Sequence, residues 1–180
     1  LPYMEPEAGD YANGLGKPAN NQYQKPENKA MFLVKKERVQ RDDDDEIPTS
    51  IKGPSIENYD VPDNAYDDGV ITLKAKAQLV KMHKDSKPFF LAVGYHKPHL
   101  PFVAPKKYWD LYNRADMPLA SFQEHASNAP ELAYHKSGEL RNYTDIPAFA
   151  MFNEPGFHIR LKTEKQLELI HGYYAAVSYM

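Results

Sequence analysis

The stretch that decides the fold runs from Lys87 to Phe102 and reads KPFFLAVGYHKPHLPF. Within it, Phe89–Tyr95 is an apolar run of seven residues without alternation, which predicts a strand covered on both faces of a parallel sheet. Pro88 ends the helix that we predict before this run. Because a helix, a short break and a fully apolar strand in succession are typical of α/β units, we expect an α/β fold, mostly parallel sheet flanked by helices.

Two long helices are predicted on either side of this stretch. The first covers about Tyr66 to Lys84, where apolar residues recur at four-residue spacing at Ile71, Ala75 and Leu79. The second begins at Thr163, which stands with Gln166 at capping-box spacing, and continues to Met180. This second helix is apolar on most of its circumference, so we expect it to be buried in a larger body.

The rest of the chain is less regular. We expect residues 1–62 to be a loop-rich segment with one helix, from Pro26 to about Gln40, and residues 63–180 to form a helix-strand-loop-helix core. A short helix is predicted from Pro105 to Tyr112. Residues 117–159 are punctuated by proline and show little periodicity, which is typical of a functional loop or of a segment wrapped over the surface.

Composition excludes several classes of protein. The 180 residues carry 22 Lys and Arg against 25 Asp and Glu, a net charge of -3, which argues against a nucleic-acid binder that works by broad phosphate neutralisation. The longest apolar run is far shorter than the ~20 residues of a membrane span, so we expect no such span. Cysteine is absent, which removes disulfides, thiolate metal sites and a cysteine nucleophile.

The candidate chemistry lies directly after the predicted strand. His96, Lys97 and His99 are two imidazoles and an ammonium within four residues, placed where α/β sheets bind their ligands. Pro98 and Pro101 stiffen the backbone that presents them. Such a cluster can hold an oxyanion and pass a proton to a leaving group near neutral pH. The alternative, to which the residues alone give about equal weight, is that both histidines cap backbone groups of an ordinary loop.

The string Lys87–Phe102 resembles the corresponding part of the iduronate-2-sulfatase-like type I sulfatases, members of the alkaline-phosphatase-like superfamily. The segments Asp60–Asp63 and Tyr173–Tyr179 are also similar to that family, in the same order. The resemblance covers about residues 58 to 180. It implies a sulfuric ester hydrolase that acts on a sulfated sugar or glycan. The histidine of the family's K-P-H string falls on His99, which implies a catalytic role as the acid on the leaving oxygen.

The same resemblance implies further roles, cofactors and partners. Lys97 and His96 would contact sulfate or substrate. The family uses a calcium ion and a formylglycine made from Cys or Ser in a C/S-x-P-x-R motif, but here Ser86-Lys87-Pro88 is followed by two phenylalanines. We therefore expect an internal fragment whose nucleophile and metal ligands lie outside the segment, partnered by the remainder of a sulfatase polypeptide and inactive alone. The family implies a periplasmic, extracellular or lysosomal location.

Two other functions stay open. One is a phosphate or phosphonate monoester hydrolase of the same superfamily. The other is a non-catalytic module that binds anionic glycans, which fits the missing nucleophile and metal ligands and predicts a segment that folds and binds unaided. Our preferred interpretation predicts instead a segment with large exposed apolar faces when it is alone.

Other polar residues carry weaker hypotheses. The acidic run at 42–46 lacks the spacing and the turn glycine of a calcium loop and is interpreted as a solvated charge run. A second group could reach an anionic substrate, although an ordinary surface loop is the preferred interpretation: Tyr134, His135, Lys136, Arg141, His158 and Arg160. His171, Tyr108 and Trp109 are expected to pack rather than to bind.

Overall fold

Four α-helices and two short strands form the regular structure of the part of the chain that the computed structural model describes, residues 23–33, 53–85, 87–124, 127–130, 139–146 and 161–180. In chain order these elements are α1 (Pro26–Leu33), β1 (Ile56–Tyr59), α2 (Asp67–Lys84), β2 (Phe102–Pro105), α3 (Lys106–Trp109) and α4 (Thr163–Tyr179). Short 3₁₀ helices lie at Asp63–Ala65, Arg114–Asp116 and Leu140–Asn142.

The two strands pair in parallel. Their register runs from Ile56 opposite Phe102 to Tyr59 opposite Pro105. At the first pair, the Phe102 amide donates to the carbonyl of Ser55, the residue before Ile56, at 2.8 Å. Parallel strands need a crossover connection, and α2 lies in the connection between β1 and β2. The described chain is therefore built on a β-α-β unit, and the predicted α/β class is confirmed.

Helix α2 matches the predicted range closely, because its ends carry the charges that suit a helix dipole. Asp67 and Asp68 stand in the first turn, and Lys81, His83 and Lys84 stand in the last. Gly69 is required near its start, since a Cβ there would lie 1.9 Å from the backbone oxygen of Asp63. The amino end of α2 is thus pressed directly onto the preceding 3₁₀ helix.

Helix α4 packs against β2 through its small residues. Ala175 and Ala176 are fully buried, and a Cβ on Gly172 would approach both Phe102 and Trp109 to 3.0 Å. The predicted helix is confirmed, but the predicted capping box is wrong. Lys162 is the N-cap residue and makes no side-chain cap, while the Gln166 side chain donates to the Leu161 carbonyl at 2.7 Å. Backbone bonds to the Lys162 carbonyl close the first turn instead.

The core lies where α4, β2 and the start of α2 meet. Its buried members are Tyr23, Tyr66, Val103, Ala104, Trp109, Ala175 and Tyr179. Trp109 and His171 are among the buried residues, as the packing interpretation predicted, and the His171 Nε2 lies 2.8 Å from the carbonyl of Trp109. Tyr108 also packs against this core, half-buried. These residues serve the fold.

A buried carboxylate fastens α1 to β1. Glu57 is 1% exposed, and its oxygens accept from the backbone amides of Gln24 and Lys25, at 2.5 and 3.1 Å. The same oxygens accept from the side-chain amide of Asn28 at 2.6 Å and from the hydroxyl of Tyr66 at 2.8 Å. Because a buried charge is tolerated only when it is hydrogen-bonded, this set explains why an acid can stand in the middle of a strand.

The prediction of a buried strand over Phe89–Tyr95 is wrong for this structure. Residues 88–96 form no helix or strand, and Phe89 and Phe90 are 48% and 77% exposed. A strand needs a neighbour for its backbone groups, and among the described residues only β1 and β2 pair with each other. The strand that does form here, β2, begins only after Pro101, the third proline of the quoted stretch.

Some predictions fall wholly or partly outside the described residues. The predicted helix from Pro26 is present as far as Leu33, and its continuation to Gln40 lies outside the described part. The acidic run at 42–46 also lies outside it, as do Tyr134, His135, Lys136, His158 and Arg160. The short helix predicted over Pro105–Tyr112 is confirmed as the four residues of α3. Within the described residues, no helix has both the length and the apolar character that a membrane crossing needs.

Candidate functional site

The three predicted site residues lie in one turn, residues 96–101, which enters β2 and is called here the His96–Pro101 turn. The His99 amide donates to the His96 carbonyl at 3.0 Å, which closes the turn. Both proline peptide bonds, after Lys97 and after Leu100, are cis. The two prolines also leave only four backbone N–H groups in these six residues. The turn therefore depends on side chains for much of its hydrogen bonding.

Asp68 provides two of these side-chain hydrogen bonds. Its Oδ1 accepts from the His96 amide at 2.9 Å, and its Oδ2 accepts from the Lys97 amide at 2.8 Å. The carboxylate is 4% exposed, and it belongs to the first turn of α2. Two charge-assisted bonds from one buried carboxylate tie the start of the His96–Pro101 turn to the helix.

Lys97 supports the turn from inside. Its side chain is buried, and Nζ donates to the carbonyl of Pro101 at 2.8 Å and to the carbonyl of His99 at 3.2 Å. Burial lowers the pKa of Lys97 to about 8, although Asp68 and Asp67 counteract part of that effect. The ammonium therefore lies beneath the turn, within the backbone that carries His99, and not on its outer surface.

His99 points the other way. Its side chain is 66% exposed, and its Nδ1 lies 2.7 Å from the carbonyl of Leu100. A carbonyl oxygen can only accept, so this contact requires the proton of the neutral ring to sit on Nδ1. Nε2 then carries the lone pair of the neutral ring, and it lies 3.5 Å from the Glu139 carboxylate. The imidazole is therefore exposed and is not enclosed in hydrocarbon.

The second histidine has a different environment. His96 is exposed, and its backbone amide is fixed by Asp68. The structure thus brings the three predicted residues into one turn, with two imidazoles on the exposed side and the ammonium of Lys97 on the buried side. Whether His96 and Lys97 contact a substrate stays a prediction.

Glu139 belongs to a segment that the fold holds in place. Asp145, which follows Glu139 in the same segment, accepts from both the backbone amide and the hydroxyl of Ser55, at 2.6 and 2.7 Å. Lys165 of α4 binds the same carboxylate at 2.5 Å. The Thr144 amide also donates to the carbonyl of Gly53 at 3.1 Å. These contacts place an acid beside His99 from 40 residues further along the chain.

Two of these partners were missed by the sequence analysis. Neither Asp68 nor Glu139 was singled out as a site residue. Acids in the first turn of a helix are common for electrostatic reasons, so nothing in the sequence distinguishes Asp68 from Asp67. The pairing of Glu139 with His99 depends on tertiary contacts, for which a single sequence carries no local signal.

A cavity of about 550 Å³ lies next to this turn but not on its outer side. Its lining includes Asp68, Thr72, Tyr95, Tyr108 and Tyr179. None of the three predicted site residues lines this cavity. The candidate site is therefore the exposed surface around His99, and the cavity is a separate feature at the amino end of α2.

The residues that the structure describes do not form a calcium site by themselves, and the sequence carries no precursor motif for formylglycine. In the described ranges, no group of three or more His, Cys, Asp or Glu side chains is placed to hold a metal ion. Both carboxylate oxygens of Asp68, which binds the turn, already accept hydrogen bonds from backbone amides. The sequence contains no cysteine and no serine in an S-x-P-x-R string. We therefore derive no chemical step through either group.

Together these features define a class: an α/β protein whose candidate site is a turn, held by buried charges, that presents an imidazole at the entrance to a strand of a parallel pair. Comparison with known proteins gives the family. The family model described as Sulfatase matches residues 11–180. The chain belongs to the sulfatase family.

Individual relatives agree with this assignment. Iduronate 2-sulfatase from Homo sapiens is 34% identical over 140 residues, which are 78% of this chain and 25% of that protein. Iduronate 2-sulfatase from Mus musculus is 35% identical over 125 residues, 69% of this chain and 22% of the relative. The multifunctional alkaline phosphatase superfamily protein PehA from Trinickia caryophylli is 38% identical over 69 residues, 38% of this chain and 13% of PehA. The chain spans about a quarter of the length of the first two relatives.

Proposed function

We propose that this chain is part of a sulfuric ester hydrolase that acts on a sulfated sugar or glycan. Membership of the sulfatase family supports the reaction class, and the similarity to proteins named iduronate 2-sulfatase supports a sulfated sugar. The observation that carries the proposal is the placement of His99. Its ring is exposed on a fixed turn, and its Nδ1 contact assigns the exchangeable proton to Nε2.

His99 acts as the general acid in this proposal. As the S–O bond of the ester breaks, the bonding electron pair passes to the sugar oxygen, and that oxygen takes the proton from Nε2 of the imidazolium. The alcohol leaves as a neutral molecule, and His99 becomes a neutral ring. Its remaining N–H, at Nδ1, donates a hydrogen bond to the carbonyl of Leu100. An alkoxide is a poor leaving group, so this proton transfer is worth ~10²–10⁴ in rate.

The other two predicted residues receive supporting roles. His96, on the exposed side of the turn, contacts the sulfate or the sugar. Lys97 stabilises negative charge through the field of its ammonium from beneath the turn, because its Nζ is directed to backbone carbonyls. Positive charge fixed near a sulfate ester favours the anionic substrate and the charge that develops during cleavage.

The remaining machinery lies outside this segment in our proposal. A calcium ion and a formylglycine, when bound and formed, would supply Lewis-acid polarisation and the nucleophile, with ligands and precursor residue in the remainder of a sulfatase polypeptide. That polypeptide would also cover the exposed apolar residues of the described chain. By family, the enzyme works in the periplasm, in the extracellular space or in the lysosome.

The reaction class is tested on the full-length protein with a matched pair of substrates, an aryl sulfate ester and the corresponding aryl phosphate ester. We expect a higher kcat/KM for the sulfate. A preference for the phosphate would replace our proposal with a phosphate or phosphonate monoester hydrolase. Binding of sulfated oligosaccharide with no hydrolysis of either ester would replace it with a glycan-binding module.

The role of His99 is tested by His99→Gln in the full-length protein. On a sulfated sugar, whose leaving oxygen needs a proton, we expect kcat to fall by ~10²–10⁴. On 4-nitrophenyl sulfate, whose phenolate leaves without a proton, the fall should be much smaller. His83→Gln is the matched control, because His83 is an exposed histidine in the last turn of α2. Equal losses on the two esters would contradict the assignment of His99 as the acid.

A further inference from the structure

The backbone that carries His99 is held from two sides by buried groups of opposite charge. Asp68 faces N–H groups at the start of the His96–Pro101 turn, and Lys97 faces C=O groups at its end. Neither charged group is directed to solvent, since Asp68 is 4% exposed and Lys97 is 8% exposed. Buried charges cost free energy unless they are hydrogen-bonded, and in the described structure the hydrogen bonds of both side chains go to this turn.

Asp68 replaces the bonds that the prolines remove. Of the four N–H groups in the turn, those of His96 and Lys97 both go to the Asp68 carboxylate, and that of His99 goes to the His96 carbonyl. Asp68 itself cannot shift easily, because α2 is fixed at this point. The hydroxyl of Tyr179 accepts from the Gly69 amide at 2.8 Å and donates to the Asp63 carbonyl at 2.7 Å.

Lys97 determines where the His99 backbone lies. Its Nζ joins the carbonyls of His99 and Pro101, the residues on either side of Leu100. The carbonyl of Leu100 is the acceptor for His99 Nδ1, at 2.7 Å. The Leu100 carbonyl therefore sets the orientation of the His99 ring. The Lys97 ammonium holds this carbonyl in place by binding the carbonyls of His99 and Pro101 on either side of it.

We propose that Asp68 and Lys97 are positioning residues for His99, which keep its Nε2 directed outward from a rigid turn toward the leaving oxygen of the ester. This inference rests on the proposed function for its chemistry. It goes beyond that function by naming the residues that orient the His99 ring. A misplacement of about 1 Å in a catalytic group can cost ~10²-fold in rate. Asp68 therefore acts on kcat through His99 without touching the substrate, and Lys97 does so in addition to the field of its ammonium.

The test is a double-mutant cycle in the full-length protein with a sulfated sugar as substrate. Asp68→Asn should lower kcat by about 10- to 100-fold with KM changed less than about twofold. In the His99→Gln background the same substitution should change kcat by less than about twofold, because the group on which it acts is gone. Asp85→Asn, an exposed acid at the other end of α2, is the matched control and should leave kcat unchanged.

Amide hydrogen exchange supplies a measurement that does not depend on activity. In a peptide covering residues 95–102, the His96 and Lys97 amides should be protected in the wild type and should exchange faster in Asp68→Asn. Lys97→Met, with Lys87→Met as its exposed control, is the second variant and should reproduce the loss in kcat if Asp68→Asn does not fold.

The outcomes separate the two proposals. Faster exchange in Asp68→Asn with an unchanged kcat, or an equal loss of kcat in both backgrounds, would overturn the positioning role while leaving the sulfatase proposal in place. A wild-type protein that hydrolyses no sulfate ester would overturn the proposed function and with it the positioning of an acid. The exchange difference would then identify Asp68 only as an anchor of the turn.

Discussion

At the scale of single residues, the buried ammonium of Lys97 makes stability depend on pH. Burial lowers its pKa in the folded protein to about 8, from 10.5 for an exposed lysine. Between these two values the unfolded chain binds more protons than the folded one, so the free energy of unfolding rises with pH. Below pH 8 both states are protonated, and the folded state carries the full cost of the buried charge.

The pKa of Lys97 predicts that the unfolding free energies of the wild type and of Lys97→Met depend differently on pH. In urea denaturation between pH 8 and 9.5, the wild type should gain about 1 kcal/mol of unfolding free energy per pH unit relative to Lys97→Met. Tyrosine ionisation begins in this range, but it is common to both proteins and cancels in their difference. Lys87→Met, which removes an exposed lysine, should retain the wild-type slope. Parallel curves for wild type and Lys97→Met would show that the Lys97 ammonium is not desolvated.

How much of the site the sequence predicts is also decided at this scale. The quoted stretch is sufficient to single out His96, Lys97 and His99, because unusual residue types follow one another along the chain. It does not reveal that Lys97 points inward, since the direction of a side chain in a turn depends on which carbonyls the backbone turns toward it. It does not reveal Asp68 either, which lies 28 residues before His96.

At the scale of elements, the contact between α2 and the preceding 3₁₀ helix controls where Asp68 lies. Gly69→Ala would place a Cβ 1.9 Å from the Asp63 carbonyl oxygen, so the backbone must move. We expect a loss of about 1–3 kcal/mol in unfolding free energy, although alanine is the better helix former by ~1 kcal/mol. Urea denaturation of the full-length protein measures this change.

Gly94→Ala is the matched control for that substitution. An added Cβ at Gly94 meets nothing within 4 Å, so its unfolding free energy should stay within about 0.5 kcal/mol of the wild type. If the two alanine variants were equally stable, the close approach at Gly69 would not be a constraint on the fold, and the fixed position assigned to Asp68 would lose its support.

The elements also show where local patterns succeed and fail. The two long helices are predictable because apolar spacing and terminal charges are local properties, and α2 and α4 follow the predicted ranges. The strands β1 and β2 have four residues each, too few for a period to appear. Phe89–Tyr95 has the composition of a buried strand and is exposed here, because strand formation depends on a neighbour and composition does not supply one.

At the scale of the whole molecule, the described chain leaves many large apolar side chains exposed. They lie on α2, in the extended segment before the His96–Pro101 turn and on α4: Leu73, Leu79, Val80, Phe89, Phe90, Val93, Tyr173, Tyr174 and Val177. Exposed apolar side chains in such number mark an interface in a soluble protein. The family is predictable from the sequence in spite of this, because the residue string around the turn is specific whether or not its neighbours are present.

These surfaces give the last prediction, which separates a sulfatase segment from a self-sufficient binding module. The 180-residue chain produced alone should bind ANS strongly and should show helical far-UV circular dichroism with weak near-UV signals, because its apolar faces lack their cover. The full-length protein should bind little ANS, since in our proposal the remainder of the polypeptide covers Phe90 and the outer face of α4. A chain that alone shows sharp near-UV signals, binds no ANS and retains sulfated oligosaccharide would instead be a folded glycan-binding module, and the exposed residues would then belong to its ligand surface.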